Sequence, residues 1–116
     1  MTTTYTEADW SEWRAFPDPR QGELLIAPYG PGLYELRHWH GKLILFGSSA
    51  HVASRMSSLL PHPYGTGTRD NTAKRNYVLA HCDDIEYRTL ATATAEEARA
   101  IEARLKAAGA DYVFVT

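Results

Sequence analysis

Two short strand-patterned runs joined by four turn-forming residues constrain this 116-residue chain more than any other feature. Gly32-Leu33-Tyr34-Glu35-Leu36-Arg37 alternates in the strand manner, His38-Trp39-His40-Gly41 supplies the turn, and Lys42-Leu43-Ile44-Leu45-Phe46 returns as an apolar strand. Gly47-Ser48-Ser49 reads as a break after that strand and offers N-caps for a helix over roughly 50–60. The apolar positions Val52, Met56, Leu59 and Leu60 recur there on one helical face.

The remaining elements follow from punctuation and periodicity. Glu7 to Phe16 reads as a short helix with Thr6 at its N-cap, ended by Pro17 and Pro19. Its Trp10, Trp13 and Phe16 share part of a face and seat the segment on the domain. Leu24-Leu25-Ile26-Ala27 is a strand candidate before the turn at Pro28 to Gly32. Pro61 to Thr68 is a loop, since Pro and Gly recur too often for regular structure. A second helix is expected over Thr72 to Cys82, then a strand over Ile85 to Ala91 with Ile85, Tyr87 and Thr89 on one side. Thr94 and Glu97 form a capping box for the last helix, Gly109 closes it, and Tyr112 to Val115 reads as a final strand. The expected fold is α/β of the α+β type, a small, mainly antiparallel central sheet flanked by helices. No repeat or linker interrupts residues 1–116, so one domain is expected.

Composition excludes several classes. Cys82 is the lone cysteine, so no intramolecular disulfide can form. The start Met1 to Thr6 lacks the basic-then-apolar pattern of a signal peptide, and no apolar run approaches the ~20 residues of a membrane span. A cytoplasmic location is the expectation. The net charge of −2 is unevenly spread. Residues 1–35 carry six acidic and two basic side chains, and residues 83–116 seven acidic and four basic. Between them, residues 36–82 carry Arg37, Lys42, Arg55, Arg69, Lys74 and Arg75 against Asp70 alone. Such a middle could face a polyanion, or its charges could scatter once the chain folds.

Gly32-Leu33-Tyr34 is similar to the first half of the signature of the GIY-YIG nuclease superfamily, and Leu45-Phe46-Gly47 stands in the place of the second half. Arg55 follows Gly47 by eight residues, where that family carries an arginine. Glu102, in Ala98 to Leu105, resembles the glutamate that binds the family's metal. The resemblance spans roughly residues 30–108, residues 1–29 being an N-terminal extension. It implies metal-dependent hydrolysis of phosphodiesters in DNA or RNA. Glu102 would hold one Mg²⁺ (or Mn²⁺) ion, bound weakly or only with substrate; Arg55 would bind the phosphate; Tyr34 would position the water or accept its proton. At about 100° per residue, Glu102 borders the inward stripe of Ala98, Ile101 and Leu105, and Arg55 the edge of its own helix's apolar face. Each residue also has an ordinary reading: Glu102 pairing with Lys106, Arg55 extending from the core edge, Tyr34 as a strand aromatic.

The chain departs from the family pattern at Leu45, where a second tyrosine is usual, and at Ser48, where relatives often carry a basic residue. A leucine neither holds a water nor donates a hydrogen bond. His51, one turn before Arg55, is a candidate proton carrier or phosphate ligand, or simply an exposed helix-start histidine. Arg69, Lys74 and Arg75 gather at a loop–helix junction around Asp70 and Asn71, and with Lys42 they are candidate contacts to a nucleic-acid backbone. Tyr64 could stack on a base or pack its own loop. His38, His40, His81 and Cys82 lack the paired spacings of a zinc site, and Gly65-Thr66-Gly67 is no phosphate loop. Three functional classes therefore stand: a GIY-YIG-type endonuclease, a catalytically impaired module binding nucleic acid or a protein, and a small structural or regulatory domain. For a nuclease this small, specificity would come from a homodimer, a protein partner or a structured substrate.

Overall fold

A computed structural model describes residues 10–17, 22–59, 72–109 and 111–114. In chain order its elements are β1 (Arg14–Ala15), β2 (Gly32–His38), β3 (Leu43–Ser49), α1 (Val52–Ser57), α2 (Thr72–Ala80), a 3-10 turn (Cys82–Asp84), β4 (Ile85–Ala91) and α3 (Ala95–Ala107). The strands form one sheet in the order β1-β4-β2-β3, every neighbouring pair antiparallel. This is the expected α+β architecture. Among the described residues no helix is long and apolar enough to cross a membrane.

Alternation along β2 sends successive side chains to opposite faces. Tyr34 and Leu36 join Leu45, Val52, Met56, Leu59, Val78, Ile85, Tyr87 and Phe16 on the α1 side. Leu33 joins Leu90, Trp10, Ala98 and Ile101 on the α3 side. Both faces of the central strand are thereby covered, and Leu33 and Leu36 are fully inaccessible.

Charged residues set the register of β2 against β4. Glu35 lies opposite Arg88, and Arg37 opposite Glu86. The Arg88 guanidinium stands 2.8 Å from Glu35 Oε1, with side-chain exposures of 13% and 5%, and Tyr112 donates its hydroxyl to the other carboxylate oxygen. Arg37 Nε donates to Glu86 at 3.0 Å. Two indoles cover these guanidinium groups: Trp13 lies 3.9 Å from Arg37 and 4.7 Å from Arg88, and Trp10 lies 4.4 Å from Arg88. Opposite charges placed directly across an antiparallel pair favour one register over its neighbours.

The N-terminal segment is extended, not helical, over its described part. Ser11 donates its amide to the Thr89 carbonyl and accepts the Thr89 amide on its Oγ, β1 pairs with β4, and Phe16 donates to the Ile85 carbonyl. Completing the free edge of β4 outweighs the three-residue spacing of the aromatics, which instead serve both faces. Their packing role stands; Thr6, Glu7 and Pro19 lie outside the described residues. Leu24–Ala27 forms no strand: Leu24 and Ile26 point outward while Leu25 and Ala27 pack on the core. Gly47-Ser48-Ser49 does not break β3, which runs on to Ser49, and α1 is shorter than expected, with Leu60 outside the described residues. The loop at 61–68, Tyr64 included, also lies outside them. The second helix stops at Ala80, before the 3-10 turn. Residues 112–114 form no strand either, although Val113 and Phe114 donate to the Leu43 and Ile44 carbonyls. Bonds to two successive carbonyls do not build a strand ladder. Thr94 caps α3 by accepting the Glu97 amide, and Gly109, at φ 72°, ends it.

At the hairpin end, His38 is buried, its Nε2 2.7 Å from the Tyr77 hydroxyl. His40 stacks on it at 5.2 Å and His81 meets it edge-on at 5.3 Å. Burial holds His38 below the ordinary imidazole value; His40, His81 and Lys42 add to the effect and Asp84 opposes it. The unfolded chain therefore takes up a proton near pH 6.5 that the folded chain resists. The contribution is complete above that value and is lost as pH falls through the lower folded-state value. His38→Gln is expected to lose less melting temperature than the unchanged chain between neutral pH and pH ~5, read by circular dichroism; equal losses would contradict this account. For the register pair, Glu35→Leu alone is expected to cost about 3–5 kcal/mol in urea denaturation, and adding Arg88→Leu to recover most of it, because a lone buried charge is worse than none.

Candidate functional site

Two glycines on the hairpin strands, Gly32 and Gly47, are required by what lies against them. A Cβ at Gly32 would come 2.3 Å from the Leu90 carbonyl oxygen and 3.2 Å from Ala91 Cα, so only glycine fits between β2 and β4 there. Gly47 sits opposite Tyr34 in the β2–β3 register. A Cβ on Gly47 would come 2.6 Å from the Tyr34 hydroxyl oxygen and 2.8 Å from its Cζ. The phenol thus lies across bare backbone, close to the C-terminal end of β3.

Glu102 reaches the next residue of the same strand. In α3, Ala98 and Ile101 are buried against Leu33 and Leu90, with Leu105 partly buried beside them. This anchors the helix so that Glu102, one residue beyond Ile101, extends toward β3. Its Oε2 accepts the Ser48 amide and its Oε1 the Ser48 hydroxyl, each at 3.1 Å. The partner is Ser48, not Lys106. Tyr34 approaches Gly47 from the α1 side, and Glu102 approaches Ser48 from the α3 side. Because β3 is the outer strand, the two groups touch consecutive residues at one corner of the sheet, from its opposite faces.

α1 begins just past that corner. Val52 and Ala53 donate their amides to the Gly30 and Pro28 carbonyls, and the His51 side chain accepts the Ser54 amide on Nδ1 at 3.1 Å. His51 is therefore the helix's N-cap, and its neutral ring carries the proton on Nε2. Arg55 stands half-buried between the buried Val52 and Met56. Arg75 Nε donates to the Ser58 carbonyl at 2.9 Å, joining α2 to the end of α1, and Lys74 is half-buried one residue before it. Lys42 lies at the other end of the hairpin, about 20 Å from Ser48 along the strand. Arg69, Asp70 and Asn71 lie outside the described residues. Leu45, in the place of a second tyrosine, is buried to 1% and paired with Leu36 in the core.

Sequence reasoning missed Ser48 as the carboxylate's partner and Glu35 as a buried charge. The first contact joins residues 54 positions apart, which no local pattern reports. The second had a signal, since Glu35/Arg37 and Glu86/Arg88 are mirror-image charge pairs. Among the described residues no group of three or more His, Cys, Asp or Glu side chains is placed to hold a metal ion. Each Glu102 oxygen takes one hydrogen bond and keeps further lone-pair capacity. A single carboxylate of this kind fits a hard cation such as Mg²⁺, whose remaining ligands are waters and substrate phosphate.

No protein-family model matches the chain, and no curated protein matches it significantly. One similar solved structure is the crystal structure of the GIY-YIG N-terminal endonuclease domain of UvrC from Thermotoga maritima, bound to its catalytic divalent cation, magnesium. The TM-score is 0.58 at 22% identity, covering 85% of this chain and 99% of that domain. At that identity the likeness is one of fold, and the four-stranded antiparallel sheet with its helices matches that of the GIY-YIG domain.

Gly47→Ala is expected to destabilise the chain by about 1–3 kcal/mol through overpacking against the phenol. In a Tyr34→Leu background the same substitution should cost much less. An undiminished cost in chemical denaturation would show that the phenol does not lie across Gly47.

Proposed function

We propose that this chain is a metal-dependent endonuclease of the GIY-YIG type, hydrolysing phosphodiester bonds in DNA or RNA. One observation carries the reading: Tyr34 lies against Gly47 and Glu102 bonds Ser48, consecutive residues at the end of β3 just before the helix that carries Arg55. The fold likeness to a nuclease domain supports it.

In this reading Glu102 holds a Mg²⁺ or Mn²⁺ ion, and Ser48 fixes the orientation of the carboxylate through two hydrogen bonds. The ion, when bound, supplies Lewis-acid stabilisation of charge on the scissile phosphate. Arg55 presents a planar fork of donors that matches phosphate oxygens. The Tyr34 hydroxyl orients the attacking water or accepts its proton. Leu45 cannot share that task, because it is inside the core, so water handling falls on Tyr34. His51 offers its Nε2–H to a phosphate oxygen while Nδ1 remains committed to the helix. Lys74 and Arg75 of α2, the latter bonded to the end of α1, would meet the backbone of a longer substrate.

A second reading is favoured by the same corner. Both Glu102 oxygens already accept hydrogen bonds from Ser48, and the position of the second tyrosine is apolar and dry. A chain that kept the fold and lost the chemistry would bind nucleic acid without cutting it.

Plasmid nicking separates the two. With Mg²⁺ or Mn²⁺ the unchanged chain is expected to nick, and Glu102→Ala to be slower by about a hundredfold or more, equivalent to roughly 3 kcal/mol of transition-state stabilisation. Chelation should abolish the activity. Cleavage that survives in Glu102→Ala overturns the assignment, and salt-sensitive binding without cleavage selects the second reading.

A further inference from the structure

Tyr29 is the most exposed large hydrophobic side chain among the described residues, at 84% of its surface. The backbone that carries it is nevertheless hydrogen-bonded on both sides. The carbonyls on either side of it, those of Pro28 and Gly30, accept the Ala53 and Val52 amides at 2.9 and 3.0 Å. The next residues, Pro31 and Gly32, are tied to β4 by the Thr92 amide on the Pro31 carbonyl and by the Gly32–Ala91 pairing. The backbone under the ring is thus held from both sides, while the phenol projects outward.

Its position is as informative as its exposure. The Tyr29 ring stands 5.8 Å from the His51 imidazole, tilted by 52°. His51 is bonded through its own amide to Ser49 Oγ, and Ser49 follows Ser48, which holds Glu102. Tyr29 therefore borders the same corner of the sheet, beside an imidazole whose Nδ1 is committed to the Ser54 amide. An exposed aromatic surface on hydrogen-bonded backbone, next to the corner proposed to bind phosphate, matches the two parts of a nucleotide, a flat base and an anionic backbone.

We propose that Tyr29 is a stacking platform for an unpaired nucleobase adjacent to the scissile phosphate. The preferred substrates would then be nucleic acids with a single-stranded or unstacked base at the cut site, not continuous duplex. This deepens the nuclease reading and rests on it. An aromatic face accepts any base, so the platform selects strand structure and not sequence. The ring is a positioning group, and the phosphate chemistry stays with Tyr34, Arg55 and Glu102.

The test uses binding, so that it does not depend on cleavage. A short single-stranded oligonucleotide carrying 2-aminopurine is titrated with Glu102→Ala, alone and combined with Tyr29→Ala or Tyr29→Trp. The expected result is fluorescence quenching with Glu102→Ala, about tenfold weaker binding and loss of quenching on adding Tyr29→Ala, and retention with Tyr29→Trp. The slope of log affinity against log salt should stay the same in all, because stacking releases no counterions. Equal binding and quenching with and without Tyr29→Ala would overturn the platform and leave the nuclease reading intact. No binding of single-stranded or duplex oligonucleotide by any form would overturn both.

Discussion

The register of β2 against β4 underlies the rest of the structure, and the buried pair of Glu35 with Arg88 holds it. A strand covered on both faces cannot slip by one residue without exchanging every side chain between the two sides. In this chain such a slip would also carry Glu35 and Arg37 away from Arg88 and Glu86 and leave buried charges unmatched. The pair is also a junction. Arg88 lies beneath Trp10 and Trp13 of the N-terminal segment, and Glu35 accepts the hydroxyl of Tyr112 near the other terminus.

From that register the candidate site follows. With Leu33 opposite both Ser48 and Leu90, Tyr34 falls opposite Gly47, the one residue type that leaves space for its phenol. Ser48 then turns its amide and hydroxyl toward α3, where Ala98 and Ile101 have set the helix's rotation. The corner is built from backbone approach at two glycines and from side-chain hydrogen bonds at one serine. Ser48 commits both its amide and its hydroxyl to one carboxylate, that of Glu102.

Much of this was legible from the residues. The hairpin, the strand Ile85–Ala91, the Thr94 cap and the inward stripe of α3 are local patterns, and local patterns report backbone preference and amphipathic faces directly. The failures share a cause. Trp10, Trp13 and Phe16 have helical spacing, yet the unpaired edge of β4 recruits their segment as an extended strand. Gly47-Ser48-Ser49 looks like a strand terminator, yet Ser48 and Ser49 pair with Leu33 and Gly32 because β2 is there to pair with. Tyr112 to Phe114 has strand composition, yet its bonds to β3 fall on adjacent carbonyls and never form a ladder.

Hydrophobic spacing, turn residues and caps were enough to settle the β2–β3 hairpin, the strand over Ile85–Ala91 and the three helices α1 to α3, and that the sheet would be mainly antiparallel. They work because each depends on neighbours within a few residues, whose geometry the covalent chain already dictates. Which carboxylate is buried against an arginine, which serine holds Glu102, and why Gly47 must lack a side chain depend on residues tens of positions apart. Contacts of that kind exist only once the strands have docked in register, so they were decided by packing and not by any local run of amino acids.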